Sequence, residues 1–171
     1  MKIYASLIGI LFLSAAQPGA FAADTTKSLW DIMATLRSES AMTRESIERD
    51  FATQLTLKNQ NQYTLFYAGA GPQLNDNLRI ANIDFRVPAS DASPRGSFLV
   101  LSLEGKGCVT LEDVKQHYAG LTLSQVPHGH SLEEETGYRT TFNHWRLAFG
   151  FKEKRPQCLA SVVFDSAEEN K

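Results

Sequence analysis

A short run of metal-binding residue types lies in the second half of the chain, where His128-Gly129-His130 is followed by Glu133-Glu134-Glu135. Two imidazoles with nearby carboxylates are ligands that suit Zn²⁺ or Cu²⁺. A His-x-His pair in a loop sets no geometry, and no third ligand is seen to converge on it. We interpret the run as a polar, solvated loop and predict no metal and no cofactor. A metal-binding or hydrolytic protein that uses His128 and His130 stays an alternative.

Other residue types that perform catalysis form no recognisable motif. Ser97, Ser102 and Ser161 lie in predicted strands, without the G-x-S-x-G turn that exposes a nucleophilic serine. His117 in a predicted helix and His144 at a predicted turn are interpreted as scaffold residues rather than bases. No phosphate-binding loop or dinucleotide fingerprint occurs. The sequence therefore predicts no catalytic residue and a protein that is not an enzyme.

The chain has two cysteines, Cys108 and Cys158. An even pair in an exported protein is typical of a disulfide, and the C-x-x-C spacing of a reactive or metal-binding pair does not occur. We predict that the two thiols are bonded to each other. The bond would close a loop of about 50 residues and stabilise the fold by about 4 kcal/mol on the chain-entropy model.

The first residues have the pattern of a bacterial export signal. Lys2 precedes an apolar run, and Ala20-Phe21-Ala22 fits the small-residue pattern of a cleavage site. The apolar run is too short to span a membrane, and no cysteine near the cleavage point could carry a lipid. We expect cleavage after Ala22, removal of residues 1–22, and a periplasmic or secreted protein without a lipid anchor.

The net charge and the hydropathy of the chain limit the classes of molecule that it is expected to bind. The formal net charge of −2 becomes −3 when Lys2 is removed, which favours neither nucleic acid nor an anionic membrane. No later stretch is apolar enough to span a bilayer. The mature length suits one domain or two very small ones.

One phrase of sequence occurs twice, as AMTRESIERDFATQLTL from Ala41 and as CVTLEDVKQHYAGLTL from Cys108. Each phrase predicts the start of a helix. Thr43 and Thr110 can accept hydrogen bonds from the free N–H groups of a first turn, and Thr110 with Asp113 has the spacing of a capping box. Apolar residues four positions apart follow in both phrases and predict a stripe that packs on another element. The recurrence suggests a duplicated unit.

Strands supply the surface on which these helices would pack. Six runs rich in aromatic and β-branched residues are bounded by turn formers. They are Gln62–Gly69, Asn77–Val87, Gly96–Gly105, Gly137–Phe142, Trp145–Phe151 and Cys158–Asp165. A further helix is predicted over Thr25–Thr35 with Ser28 as its cap, and Asn143-His144 predicts a tight hairpin that pairs Phe142 with Trp145.

The order of these elements predicts an α+β fold, a tandem α-β-β-β repeat. Residues 23–105 would hold the extra helix and the first repeat, residues 106–171 would hold the second, and together they would form one compact unit. We expect the strands to join into one antiparallel sheet, or two abutting ones, with the helices packed on one face. The other face would then be left to solvent or to a partner.

The stretch AMTRESIERDFA, the duplicated helix and the strand RLAFGF resemble the β-lactamase inhibitory proteins. The same half-unit is similar to the small outer-membrane assembly lipoproteins, whose G-M-T helix start has Ala41 in place of its glycine here. The resemblance implies an α-β-β-β repeat superfamily and, for the first family, a concave sheet surface that grips an enzyme.

Aromatic residues and arginines are the remaining sequence signal for a binding surface. Tyr, Trp and Arg are enriched at the centres of protein interfaces. We select five residues as candidate contacts with another protein, most plausibly an envelope or secreted enzyme: Tyr63, Tyr67, Arg79, Arg139 and Arg146. The expected function is a non-enzymatic, inhibitor- or immunity-like binding module, with an envelope-assembly or ligand-binding accessory protein as the alternative.

Overall fold

The computed structural model describes residues 27–39, 42–90 and 96–166. The expected signal peptide at residues 1–22, with its cleavage site after Ala22, lies outside them. Within the described residues there are three helices, α1 (Leu29–Ser38), α2 (Arg44–Asp50) and α3 (Leu111–His117). The strands are β1 (Thr56–Gln60), β2 (Thr64–Gly69), β3 (Leu78–Pro88), β4 (Phe98–Gly105), β5 (Thr122–Gln125), β6 (Glu135–Phe142), β7 (Trp145–Lys152) and β8 (Leu159–Asp165).

Each of these helices begins with a capping box at a residue that the sequence indicated as a cap, and the sequence indicated the box itself for Thr110 with Asp113. The hydroxyl of Ser28 accepts from the backbone N–H of Asp31, and the Asp31 carboxylate accepts from the backbone N–H of Ser28. Thr110 and Asp113 repeat this arrangement in α3. In α2 the partner of Thr43 is Ser46. At each helix start the N–H group of the capping residue and that of the residue three positions on are thereby satisfied.

The strands form one antiparallel sheet in the order β1-β2-β3-β4-β8-β7-β6-β5. The strands β1–β4 form one consecutive run, β5–β8 form the other, and β4 pairs with β8 where the runs meet. The prediction of an α+β fold is confirmed. The matching order of elements does not demonstrate descent from one unit, so the duplication stays a prediction.

The prediction of three strands in each half is wrong, because each half has four. Thr56–Gln60 and Thr122–Gln125 are the two edge strands of the sheet, and every residue in both is exposed. An edge strand with no buried face shows no alternation of apolar and polar residues, so the strand signal is missing from the sequence. Both strands begin in the Leu-Thr-Leu endings of the repeated phrase, where the sequence predicted no strand.

One face of the sheet is covered by the helices. In β7 the alternate residues Trp145, Leu147, Phe149 and Phe151 are buried, and the same alternation runs through β4. These side chains form one apolar cluster with the buried residues of the helices: Leu29, Ile32, Met33, Leu36, Ile47 and Val114. The intervening strand residues point to the opposite face. None of the described helices is long and apolar enough to cross a membrane.

Helix α1 contacts both halves of the chain. The backbone N–H of Asn75 donates to the carbonyl of Lys27 at the start of the helix. The Trp30 ring stacks on the His117 ring of α3, with the ring centres 3.8 Å apart. Farther along, the guanidinium of Arg37 lies 4.5 Å from the centre of the Phe142 ring. The additional helix therefore braces the second half against the first.

The predicted disulfide is confirmed. Cys108 is bonded to Cys158, with their Cα atoms 4.9 Å apart. The bond ties the segment before α3 to the start of β8, and the backbone N–H of Leu159 donates to the carbonyl of Val109 beside it. This link fixes the position of β8, the strand through which the second half joins the first.

Two glycines with positive φ, Gly105 and Gly129, differ in how closely other atoms approach them, and Gly105 lies at the end of β4. A Cβ atom on Gly105 would lie 2.2 Å from the carbonyl oxygen of Asn77, whereas a Cβ on Gly129 would meet nothing within 4 Å. Gly129→Ala should cost about 1 kcal/mol of unfolding free energy for its backbone conformation alone. Gly105→Ala should cost about 3 kcal/mol, because the backbone must also shift. Urea denaturation of both variants measures the difference, and equal losses would contradict the close approach.

Candidate protein-binding face

The sheet has an open face, formed by the strand residues that point away from the helices. Its central side chains are half-buried or exposed, and they come from β2, β3, β4, β8, β7 and β6. We define the open face by these residues: Phe66, Arg79, Asp84, Arg86, Phe98, Val100, Glu104, Arg139, Arg146, Ala148, Val163 and Asp165. A sheet covered on one side is expected to be polar on the other, so the apolar members of this set need an explanation.

A row of five side chains crosses the open face and is called here the open-face ladder. Its members are neighbours on successive strands: Phe66, Arg86, Phe98, Asp165 and Arg146. Directly opposed side chains on one face lie close enough to contact each other. The ladder therefore places two phenyl rings, two guanidinium groups and a carboxylate in one continuous line across the junction of the two halves.

Arg86 is held in the ladder from three sides. Its Nη2 and Nε atoms donate to the two carboxylate oxygens of Asp84, at 2.6 and 3.1 Å. The same guanidinium lies 5.7 Å from the Phe66 ring centre and 5.2 Å from the Phe98 ring centre, within cation–π range. The hydrogen bonds that Arg86 donates to Asp84 raise the pKa of Arg86 above its usual value. Arg86 thus presents a flat, charged, fixed group whose charge is already balanced.

A second row of side chains lies two residues along each strand from the ladder, and its middle members are apolar. Val100, Val163 and Ala148 face one another on β4, β8 and β7, and we call them the apolar strip. Asp84 borders the strip at one end and Arg139 borders it at the other. Arg139 is exposed and makes no ion pair with any described residue. The strip is therefore a half-exposed apolar patch with a cation beside it.

Ion pairs mark two further positions on the open face. Arg79 of β3 pairs with Glu104 of β4 at 3.0 Å. Arg146 of β7 pairs with Asp165 of β8 at 2.6 Å. Both arginines are more than half exposed, so each pair contributes at most about 1 kcal/mol to stability. Their effect is to hold long side chains in place around the apolar strip.

Three of the five residues selected from the sequence lie on the open face, namely Arg79, Arg139 and Arg146. The two tyrosines do not join them there. Tyr67 packs against the core on the covered face, where the guanidinium of Arg44 lies 5.3 Å from its ring centre. Tyr63 is half exposed in the turn between β1 and β2. The strand pattern of this segment did not indicate which of its rings faced outward.

Phe66, Arg86 and Phe98 were missed by sequence reasoning. Asp84 and Arg86, two apart on one strand, could have indicated a charged pair on one face. Their link to the phenyl rings depends on the register between β2, β3 and β4, which comes from the folded sheet. Strand β4 has apolar residues on both faces, as burial of both faces at the junction of the two halves would require. The structure places β4 at that junction, but Phe98 and Val100 remain half exposed.

The carboxylates that neighbour the His128–His130 loop make structural hydrogen bonds and ion pairs. The backbone N–H groups of His128, Gly129 and His130 all donate to the carboxylate of Glu134. Glu133 pairs instead with Lys152 and Lys154. Across residues 27–39, 42–90 and 96–166, no group of three or more His, Cys, Asp or Glu side chains is placed to hold a metal ion.

This loop generates a prediction about acid stability. The three hydrogen bonds from the loop, that of His128 foremost, lower the pKa of Glu134 below its ordinary value of 4.5. Because the folded-state pKa is depressed, the resulting stability is fully present above the ordinary pKa and is lost as pH falls through the folded-state value. Glu134→Gln should therefore flatten the decline in urea midpoint between about pH 6 and 3. Glu153→Gln, at an exposed neighbour, should leave the wild-type decline unchanged; matching curves for wild type and Glu134→Gln would refute the assignment.

Comparison of the chain with protein-family models, with curated proteins and with solved structures finds no match. The resemblance to the β-lactamase inhibitory proteins and to the outer-membrane assembly lipoproteins therefore stays a hypothesis drawn from the sequence. Function has to be argued from the open face itself.

Proposed function

We propose that this protein is a secreted or periplasmic, non-enzymatic binding module whose open face docks onto another protein. The observation that carries the proposal is the apolar strip of Val100, Val163 and Ala148, half-buried on the sheet face that the helices leave uncovered. An apolar surface rimmed by polar residues is typical of a protein interaction site.

The dimensions of the open face suit such a role. Eight strands spaced about 4.8 Å apart, with about five residues of each contributing, present an area on the order of 600 Å². A stable protein–protein interface buries about 800 Å² on each partner. The sheet face with modest help from surrounding loops is therefore large enough for specific recognition.

Fixed side chains favour binding through this face. The strands in the middle of the sheet are hydrogen-bonded on both sides, so their backbone has little freedom left to lose. Asp84, Asp165 and Glu104 hold three arginines of the face in place. A surface ordered in advance loses less conformational entropy on association, which raises affinity for a given contact area.

An inhibitor- or immunity-like mechanism follows from this rigidity. A preformed sheet surface that covers the cleft of an enzyme would block substrate entry without any chemical step. The disulfide and the predicted export signal support action outside the cytoplasm, since disulfides persist in oxidising compartments. An origin by duplication is part of the proposal, and it is supported by the corresponding positions of the Arg79–Glu104 and Arg146–Asp165 pairs on β3–β4 and β7–β8.

The proposal is tested by a charge reversal on the open face. Arg139→Glu breaks no ion pair among the described residues, so the fold should be retained. Lys106→Glu is the matched control, since Lys106 is exposed in the loop after β4 and is not among the residues that define the open face. Both proteins and the wild type are immobilised and exposed to envelope extract of the producing cells. A bound protein should be captured by wild type and Lys106→Glu, and at least about tenfold less by Arg139→Glu.

The captured protein is then purified and assayed with and without the wild-type module. Stoichiometric loss of an enzymatic activity supports the inhibitor form of the proposal. Capture of membrane-assembly proteins would favour the envelope-accessory alternative. Equal capture by all three immobilised proteins would refute binding through the open face.

A further inference from the structure

One end of the open-face ladder opens into a cleft of about 260 Å³. Phe66, Arg86 and Phe98 form its floor and walls, and Pro88 and Gly96 border it. The cleft lies at the ends of β2, β3 and β4, beside rather than within the apolar strip. It combines a concave shape, aromatic walls and a fixed guanidinium, which are features of the pockets that receive interface anchors.

We propose that this cleft, here called the anchor cleft, binds an aromatic side chain of the partner protein. The inference rests on the proposed function and deepens it, because it names the chemistry that the partner must present. A volume of about 260 Å³ falls below the 300–1,000 Å³ of pockets that hold whole small-molecule ligands. It suits the insertion of one large side chain from a docked surface.

The charges at the anchor cleft favour an aromatic occupant over an acidic one. Both oxygens of Asp84 are bound to the guanidinium of Arg86, so the pair carries no net charge. An incoming carboxylate would meet Asp84 at close range and would have to displace it. A neutral ring has no such cost, and it gains contacts with two phenyl rings and with a cation.

The walls also distinguish an aromatic group from an aliphatic one. Phe66 and Phe98 flank Arg86 on the neighbouring strands, with its guanidinium within 6 Å of both ring centres. A further ring can add edge-to-face contacts to this cluster, and each such pair is worth more than the burial of its area alone. An aliphatic side chain gains the area but not the quadrupole interactions.

The test uses the mature protein labelled with ¹⁵N. N-acetyl-tryptophanamide is added as the probe, and its binding is followed through the amide chemical shifts of the protein. Saturable shifts should be confined to residues 64–66, 86–87 and 96–98, with a dissociation constant on the order of millimolar. N-acetyl-leucinamide and acetate should bind at least about threefold more weakly. Phe98→Leu should weaken the tryptophan probe at least about threefold while keeping the amide spectrum of the folded protein.

Phe142→Leu is the matched control, because Phe142 contacts Arg37 in a similar way on the covered face of the sheet. It should bind the probe as the wild type does. The inference is overturned if no saturable shifts occur at the cleft, if leucinamide or acetate binds as well, or if Phe98→Leu binds like wild type. Failure here leaves the Arg139→Glu capture result intact, whereas equal capture by Arg139→Glu would refute the docking proposal even if the cleft bound the probe.

Discussion

The pairing of β4 with β8 is the constraint on which the rest of the structure depends. Five registered residue pairs, from Phe98 opposite Asp165 to Ser102 opposite Ser161, join the two halves into one sheet. Without them each half would be a separate four-stranded sheet with too small a core to be very stable alone. The same pairing sets Phe98 next to Asp165 and Val100 next to Val163, so it builds the open-face ladder and the apolar strip together.

The two faces of the sheet have different roles: the covered face stabilises the fold, and the open face is the proposed binding surface. Large apolar residues and the three helices form the core on the covered face, and the disulfide from Cys108 to Cys158 secures the strand at the junction. The open face carries only half-buried apolar groups, held among paired charges. Because side chains alternate along each strand, residues on the open face can vary with little effect on the core. A binding surface of this kind is therefore stable before its partner arrives.

Much of the covered side could be predicted from the sequence. Helix caps at Ser28, Thr43 and Thr110 follow from local chemistry, and the six long strands are rich in aromatic and β-branched residues and bounded by turn formers. The edge strands β1 and β5 could not be predicted, since their residues are exposed on both sides and bear no such pattern. The orientation of Tyr67 could not be predicted either. Rings occupy adjacent positions of its strand, and the sequence pattern does not say which ring faces the helices.

The sequence by itself determined the helix starts, the six long strands, the α+β class and the partner of each cysteine, because these depend on spacing along the chain and on the chemistry of single residues. Only the tertiary structure decided the sheet order, the register between strands and the arrangement of the open face. Phe66, Arg86 and Phe98 are separated by many residues in the chain and meet only through strand pairing. Register depends on the packing of the whole sheet against its helices, which no short stretch of sequence specifies.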